Sequence, residues 1–295
     1  MENIKISKVC GLCAGCKRAI AVAKEELECG KNVTIFKEIV HNKNVNQMLE
    51  NAGAKFEDEI QSLDPNSIVI IRAHGEPPET YKYFAENKIN FKDCTCWNVE
   101  KIHNDVHEYS TNGYNIIILG KFHKKLHPEV FGTMGWCDGK EILIEKEDDL
   151  ESLLSLKNQK IYLVCQTTFN NQKADELIDK IRVIATANNC ELVINKSICN
   201  AQKQINLASE ELAKNSDVMI VVGGKNSSNS LELFNNIKTI CPSIFIEDIK
   251  TYKTAFVDAG ITITKNTKIG ITAGASTMTE ELEQLKNLII KDLGA

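Results

Sequence analysis

Short apolar runs that stop abruptly at a polar motif recur along this chain, and they constrain its fold more than any other feature. Residues 67–71 (S-I-V-I-I) run into R-A-H-G, and residues 160–164 run into C-Q-T-T. Residues 217–222 run into G-G-K-N-S-S-N-S, and residues 268–272 into A-G-A-S-T. Val- and Ile-rich runs of this length, alternating with helical periodicity, read as parallel strands buried on both faces. Further strands are expected at 4–9, 32–36, 115–119, 141–144, 191–195 and 243–246. Helices are expected at 14–29, 44–51, 78–87, 99–110, 171–186, 201–214, from 231, and at 280–293. Parallel strands need helical crossovers, and their sheets bind ligands beyond the carboxyl ends of the strands. The expected fold is therefore α/β: three similar lobes with small, mainly parallel sheets around a central cleft. The polar motifs would lie at the strand ends.

A chain of 295 residues suits two or three such units rather than a single core. Its net charge of −5 argues against general nucleic-acid binding, while leaving room for a local pocket that takes a small anion. No apolar run reaches the roughly 18 residues of a membrane helix, so no membrane partner is expected. The start M-E-N-I-K-I has no secretory apolar segment, and the expected location is the cytoplasm.

Eleven cysteines are many for that compartment, where disulfide frameworks are rare and metal or redox chemistry gains weight. Cys29, Cys137, Cys165, Cys190 and Cys241 stand singly and read as packing residues. Cys10, Cys13 and Cys16 form C-x2-C-x2-C, a ferredoxin-like spacing whose fourth cysteine and proline are missing; three such cysteines can also bind zinc. Cys13, in G-L-C-A-G at a strand–turn–helix junction, is the preferred ligand. A thiolate there meets the positive end of a helix. Of Cys94 and Cys96, only one serves if each lobe gives one thiolate. Cys199, in S-I-C-N, brings a cysteine to the last third.

Three histidines stand in loop motifs: His41 in V-H-N, His74 in A-H-G and His127 in H-P-E. Imidazole can donate to phosphate oxygens and relay protons near neutral pH. His103 and His107, four apart on an expected helix with no third ligand nearby, read as helix surface. The loop G-G-K-N-S-S-N-S offers backbone N–H groups and consecutive hydroxyls ahead of a helix, which is what an anion cradle requires, and A-G-A-S-T is a second loop of that kind. Glu129 is the best candidate proton donor, with Thr167 and Thr168 able to hold a hydroxyl or water beside it.

These motifs, in this order and almost end to end, resemble the LytB-type 4-hydroxy-3-methylbut-2-enyl diphosphate reductases, terminal enzymes of the non-mevalonate isoprenoid pathway. They are G-L-C-A-G, V-H-N, A-H-G, D-C-T-C, H-P-E-V-F-G-T-M-G, Q-T-T, S-I-C-N, V-V-G-G-K-N-S-S-N-S and T-A-G-A-S. The resemblance implies a cloverleaf of three α/β lobes, here 14–96, 97–193 and 194–295 with 1–13, around an iron–sulfur cavity. It implies a 4Fe-4S cluster on Cys13, Cys96 and Cys199, with the fourth iron left for the substrate's hydroxyl. It implies a diphosphate held by His41, His74, His127, Ser227, Ser228, Asn229 and Ser276. Glu129 would deliver protons with help from Thr167 and His127. A ferredoxin or flavodoxin would supply electrons singly, and two electrons and two protons would remove the hydroxyl as water, giving isopentenyl and dimethylallyl diphosphate. The chain departs from the family pattern in its extra thiols Cys10, Cys16 and Cys94, in Trp97 where proline is expected, and in N-A-Q-K-Q-I-N after Cys199. The rival readings are a quinolinate-synthase-like three-lobed enzyme and an iron–sulfur electron carrier.

Overall fold

The computed structural model describes residues 3–40, 42–122, 128–225, 227–275 and 277–294. In chain order its elements begin with β1 (Ile4–Ile6), α1 (Ala14–Glu28), β2 (Val33–Phe36), α2 (Lys43–Asn51), β3 (Lys55–Glu57), β4 (Ile68–Ile71), α3 (Pro78–Glu86) and β5 (Asn90–Asp93). Next come α4 (Trp97–Thr111), β6 (Asn115–Leu119), α5 (Pro128–Gly135), β7 (Glu141–Ile144), β8 (Lys160–Cys165), α6 (Asn171–Ala187) and β9 (Glu191–Asn195). The last are α7 (Asn200–Ala213), β10 (Val218–Val222), α8 (Ser228–Lys238), β11 (Ser243–Ile246), α9 (Tyr252–Asp258), β12 (Ile269–Ala273) and α10 (Thr279–Asp292). Among the described residues no helix is long and apolar enough to cross a membrane.

The strands form three four-stranded sheets, ordered β3-β2-β4-β5, β7-β6-β8-β9 and β11-β10-β12-β1, and every pairing is parallel. The three share one plan. The first strand (β2, β6 or β10) lies between the second and the third, and the fourth pairs with the third. In the third sheet the fourth strand is β1, from the start of the chain. The order reverses between the first and third strands, and beyond that point such sheets bind ligands.

The chain divides into two compact units. One comprises Met1–Ile20, Glu38–Gly53 and Asn200–Ala295 and holds the sheet with β1; the other comprises Ala21–Lys37 and Ala54–Cys199 and holds the other two sheets. In the first unit β10 alternates its side chains between two cores. Val218, Ile220 and Val222 pack with Leu282, Leu285 and Ile289 of α10, while Met219 and Val221 pack with Ile205 of α7 and Leu233 and Ile237 of α8. In the second unit β6 and β8 do likewise. Ile117, Leu119, Ile161 and Leu163 meet α6, and Ile116, Ile118, Tyr162 and Val164 meet Ile102 and Val106 of α4. Each fully buried Ile, Leu or Val contributes about 1.5–3 kcal/mol, so these central strands dominate the fold's stability.

The structure departs from the sequence reading in identifiable places. The first strand ends at Ile6 rather than at residue 9, because Ser7 turns the chain: its hydroxyl donates to the Val9 carbonyl and the Cys10 thiol donates to the Ser7 carbonyl. The edge strands β3 and β5 were not expected, since K-F-E and N-F-K-D lack an apolar run. The sequence reading assigns no helix between residues 120 and 140, where residues 128–135 form α5. Its Gly132 lies against the Gly75 backbone, and a side chain at Gly135 would strike Pro77. Gly135 thus serves close packing within the second unit, not a turn.

Candidate active site

The fourth strand of each sheet feeds a cysteine. Cys96 follows β5 and is the N-cap of α4, Cys13 follows β1 and directly precedes α1, and Cys199 follows β9 and directly precedes α7. The backbone N–H of Cys13 donates to the Ala275 carbonyl (3.4 Å), that of Cys96 to Ala73 (2.9 Å) and that of Cys199 to Thr167 (2.7 Å). Each acceptor is the second residue beyond the third strand of its sheet (β12, β4 or β8). The first strands end alike: Lys37, Gly120 and Gly223 each donate to the last residue of the neighbouring second strand, Glu57, Ile144 and Ile246. The same backbone bonds thus hold a cysteine at the same station of all three sheets.

In the second unit this station is joined to an acid. Glu129, on the first turn of α5, is only 3% exposed. Its Oε1 accepts from the Thr167 backbone N–H (2.6 Å) and its Oε2 from the Thr167 hydroxyl (2.6 Å). Burial pushes the Glu129 pKa up, and the two Thr167 donors counter it only in part. Thr167 also takes the Cys199 N–H on its carbonyl, so the acid and this cysteine share one residue. The Asn98 amide, in the first turn of α4 after Cys96, donates to the Cys199 sulfur at 3.5 Å. His74 is half-buried in the loop after β4. Gly75 beside it has φ +71°, and a Cβ there would meet His103 Cε1 at 2.6 Å, so the loop lies directly on the His103 ring.

His103 corrects the sequence reading. It is buried, not on a helix surface, and stacks on Trp136 at 5.5 Å. Burial holds its pKa down at about 4, so the ring is neutral at physiological pH. Cys29 is also corrected: it is exposed, not a packing residue, whereas Cys137 and Cys165 are buried.

In the first unit the Cys13 loop is fixed from both sides. Gly11 has φ +75°, and a Cβ there would lie 2.7 Å from the Thr277 carbonyl oxygen, so only glycine fits. Leu12 N–H donates to the same carbonyl. The Cys16 thiol donates to the Cys13 sulfur and lowers its pKa; burial opposes this, and the Cys16, Gly15 and Cys13 N–H groups at the start of α1 assist, leaving the thiol at about 6. Cys10 behaves oppositely: burial lifts it to about 11. Cys10, Cys13 and Cys16 do not gather around one ion, nor does any other group of three His, Cys, Asp or Glu among the described residues.

The two anion-cradle loops close over one residue of the same unit. Ser230 Oγ donates to Ser227 Oγ (3.0 Å), and Ser227 caps α8 by accepting from Ser230 N–H. A Cβ on Gly223 or Gly274 would fall within 2.4 Å of the Ser230 side chain, so both loops need glycine to approach it. Asn229 lies on the first turn of α8, and Ser228 begins that helix. His41, His127 and Ser276 lie outside the described residues. Sequence reasoning missed Asn98 and the role of Cys16. The only available signal was their spacing of two and three residues from an expected ligand.

Residues 4–289 match the family model described as LytB protein. The 4-hydroxy-3-methylbut-2-enyl diphosphate reductase of Clostridioides difficile strain 630 is 35% identical over 289 residues, covering 96% of this chain and 97% of that relative. The reductase of the same name from Aquifex aeolicus strain VF5 is 33% identical over 294 residues, covering 98% and 96%. A solved structure of (E)-4-hydroxy-3-methyl-but-2-enyl diphosphate reductase, described as the terminal enzyme of the non-mevalonate pathway, matches with a TM-score of 0.73 at 32% identity over 98% of this chain and 99% of that one. The E-1-hydroxy-2-methyl-but-2-enyl-4-diphosphate reductase from Plasmodium falciparum matches with a TM-score of 0.84 at 26% identity, over 97% and 87%. With its motifs, its three parallel sheets and this end-to-end match, the chain belongs to the LytB family.

Proposed function

We propose that this chain is a 4-hydroxy-3-methylbut-2-enyl diphosphate reductase, which removes the allylic hydroxyl as water and releases isopentenyl and dimethylallyl diphosphate. The observation that carries this reading is the Cys199–Thr167–Glu129 connection. It sets a buried carboxyl with a raised pKa one residue away from a candidate ligand, in a hydrogen-bonded frame. An electron carrier has no use for such an acid.

Cys13, Cys96 and Cys199 are the thiols that would hold a 4Fe-4S cluster, and three cysteines held by one repeated set of backbone bonds suit a three-thiolate donor set. When bound, the cluster supplies single electrons and a Lewis-acidic site for the hydroxyl. Glu129 gives the proton that makes the departing group water rather than hydroxide. Thr167 keeps the Glu129 carboxyl oriented and supports the charge it acquires afterwards. The diphosphate falls to His41, His74, His127, Ser227, Ser228, Asn229 and Ser276, where imidazoles, hydroxyls and N–H groups at a helix start are the chemistry an anion needs. A reduced ferredoxin or flavodoxin as donor, a cytoplasmic location and lobe boundaries at 14–96, 97–193 and 194–295 with 1–13 complete the proposal.

The test is made anaerobically on protein reconstituted with iron and sulfide, using 4-hydroxy-3-methylbut-2-enyl diphosphate and a one-electron reductant. Wild type should hold about four irons per chain and form both isoprenoid diphosphates. Glu129→Gln should keep the iron and lose at least about 100-fold in turnover. Iron without turnover in the wild type, or full turnover in Glu129→Gln, would overturn the reading.

A further inference from the structure

Asn98 stands two residues after Cys96, on the first turn of α4, and its amide nitrogen lies 3.5 Å from the sulfur of Cys199. One short side chain thus reaches from the helix that Cys96 caps to a second candidate ligand. We propose that Asn98 is a positioning residue that donates an N–H···S hydrogen bond to Cys199 and raises the reduction potential of the cluster. The inference rests on the reading of Cys199 as a cluster ligand.

The chemistry fixes which end of the amide faces the sulfur. An iron-bound thiolate carries no proton, so it can only accept, and the amide must present its NH2 group. Accepting an N–H draws electron density away from the sulfur. The cluster gains negative charge on reduction, so the bond strengthens in the reduced state and favours it. Hydrogen bonds to the sulfurs are among the terms that set iron–sulfur potentials, and donors just beyond the ligands tune metal sites generally. Asn98 is half-buried, which limits the competition from water for the same sulfur. The backbone N–H of Cys199 is already committed to the Thr167 carbonyl, so it does not supply this donation.

The experiment is an anaerobic redox titration of the reconstituted protein, followed by electron paramagnetic resonance with iron counted in each sample. Asn98→Leu keeps the size and removes the donor. It should retain full iron and take up electrons less readily, with the reduced-to-oxidised ratio at a fixed potential falling about tenfold, equivalent to about 59 mV for one electron. Asn98→Asp, of the same shape but with a negative charge in place of the donor, should shift the same way and further. Asn98→Ser, which retains a hydroxyl donor, should recover part of the shift. A purely structural role would alter iron content or melting temperature and leave the midpoint of the loaded fraction unmoved. That outcome, in Asn98→Leu or in Asn98→Asp if the leucine variant does not fold, overturns the inference. Cys199→Ala separates the two readings. If it keeps full iron, Cys199 is not a ligand and the inference fails with that premise. If it loses iron while the Asn98 variants keep the wild-type midpoint, only the role of Asn98 is wrong.

Discussion

Replacing Thr167 by valine keeps the shape of the side chain and the backbone N–H to Glu129 Oε1, and deletes the hydroxyl that donates to Oε2 at 2.6 Å. Both residues are buried, Glu129 at 3% and Thr167 at 7% exposure, so water does not readily take the hydroxyl's place. A hydrogen bond to a charged group is worth about 1.5–3 kcal/mol net. That support is felt only as Glu129 becomes a carboxylate, which is when it gives up its proton. If the whole of it is felt at the transition state, kcat falls about 10- to 150-fold. If the proton is half transferred, half of it is felt, and the fall is about three- to twelvefold. The variant's Glu129 also holds its proton to higher pH, because one of the two donors that oppose the effect of burial has gone. The alkaline limb of the kcat profile should therefore move to higher pH while its plateau drops. Thr167→Ser, which keeps the donor, should stay within about threefold of wild type at unchanged pH dependence. The assay is anaerobic turnover per loaded cluster across pH, with iron counted so that lost cluster is not read as lost chemistry. A Thr167→Val enzyme with wild-type kcat and an unmoved profile would refute the claim that the hydroxyl supports Glu129. Equal loss in Thr167→Ser would assign the effect to packing.

Glu129 also sets a pH dependence of stability. Burial raises its folded-state pKa above the ordinary 4.5, so the folded protein holds a proton that the unfolded chain has released, and stability falls as pH rises from the unfolded value through the folded one. Thermal melts of the cluster-free protein should show Glu129→Gln with a flatter profile and, once pH has passed the raised folded-state pKa, a higher melting temperature than wild type; parallel profiles would contradict this. Cys16→Ala removes the thiol that contributes most to lowering the Cys13 pKa to about 6. Alkylation of Cys13 in cluster-free protein, followed by peptide mass, should then move to higher pH, and an unchanged profile would show that the helix N–H groups suffice. Glu76, 1% exposed, faces Lys37 Nζ at 2.5 Å and Arg72 Nη2 at 3.3 Å. Glu76→Ala removes the carboxylate both cations face and should cost about 3–5 kcal/mol in denaturant unfolding, whereas a loss below about 1 kcal/mol would show the cations relaxing without it.

Much of the fold is legible in the sequence wherever a strand is central. Residues 116–119 and 218–222 are apolar on both faces, because the sheet buries both faces, and such runs stand out against their polar ends. Edge strands escape the same reading. In β5, all four residues are exposed and only Phe91 is apolar, so its place in the sheet comes from pairing with β4, which no local pattern announces. Helix α5 is hidden for another reason. Proline and glycine punctuate it, and Gly135 is required by what it packs against, Pro77, a residue more than fifty positions earlier. His103 fails in the same way: its burial depends on Trp136 and on the loop at Gly75, not on its own neighbours. The strand-end motifs were legible as chemistry, since serine, glycine, histidine and cysteine are costly choices at positions where any polar residue would serve a turn. Asn98 was not, because its meaning lies in a sulfur 101 residues away.

Which cysteine of each crowded run is singled out is a question that spacing alone leaves open and backbone geometry narrows. In D-C-T-C the Cys94 N–H donates to Ile71, the last residue of β4, and so continues the ladder; the Cys96 N–H donates to Ala73, two residues beyond it. Cys94 is accordingly 1% exposed and spent on packing, while Cys96 stands clear of the sheet as a helix cap. In C-x2-C-x2-C, Cys10 turns its thiol back to Ser7 and Cys16 lies inside α1, leaving Cys13 at the station that Cys96 occupies in its own sheet. Cys199 reaches the same station without competitors. The fourth strand determines this outcome each time: its pairing with the third strand carries the chain past the sheet's carboxyl edge, and the next helix starts on the cysteine. The sheet with β10 obtains its fourth strand from the chain start, and this is why the Cys13 run lies at residues 10–16 rather than after residue 290. The same backbone rule therefore places one thiol per sheet at this station, and it is these three that the proposed cluster would take as ligands.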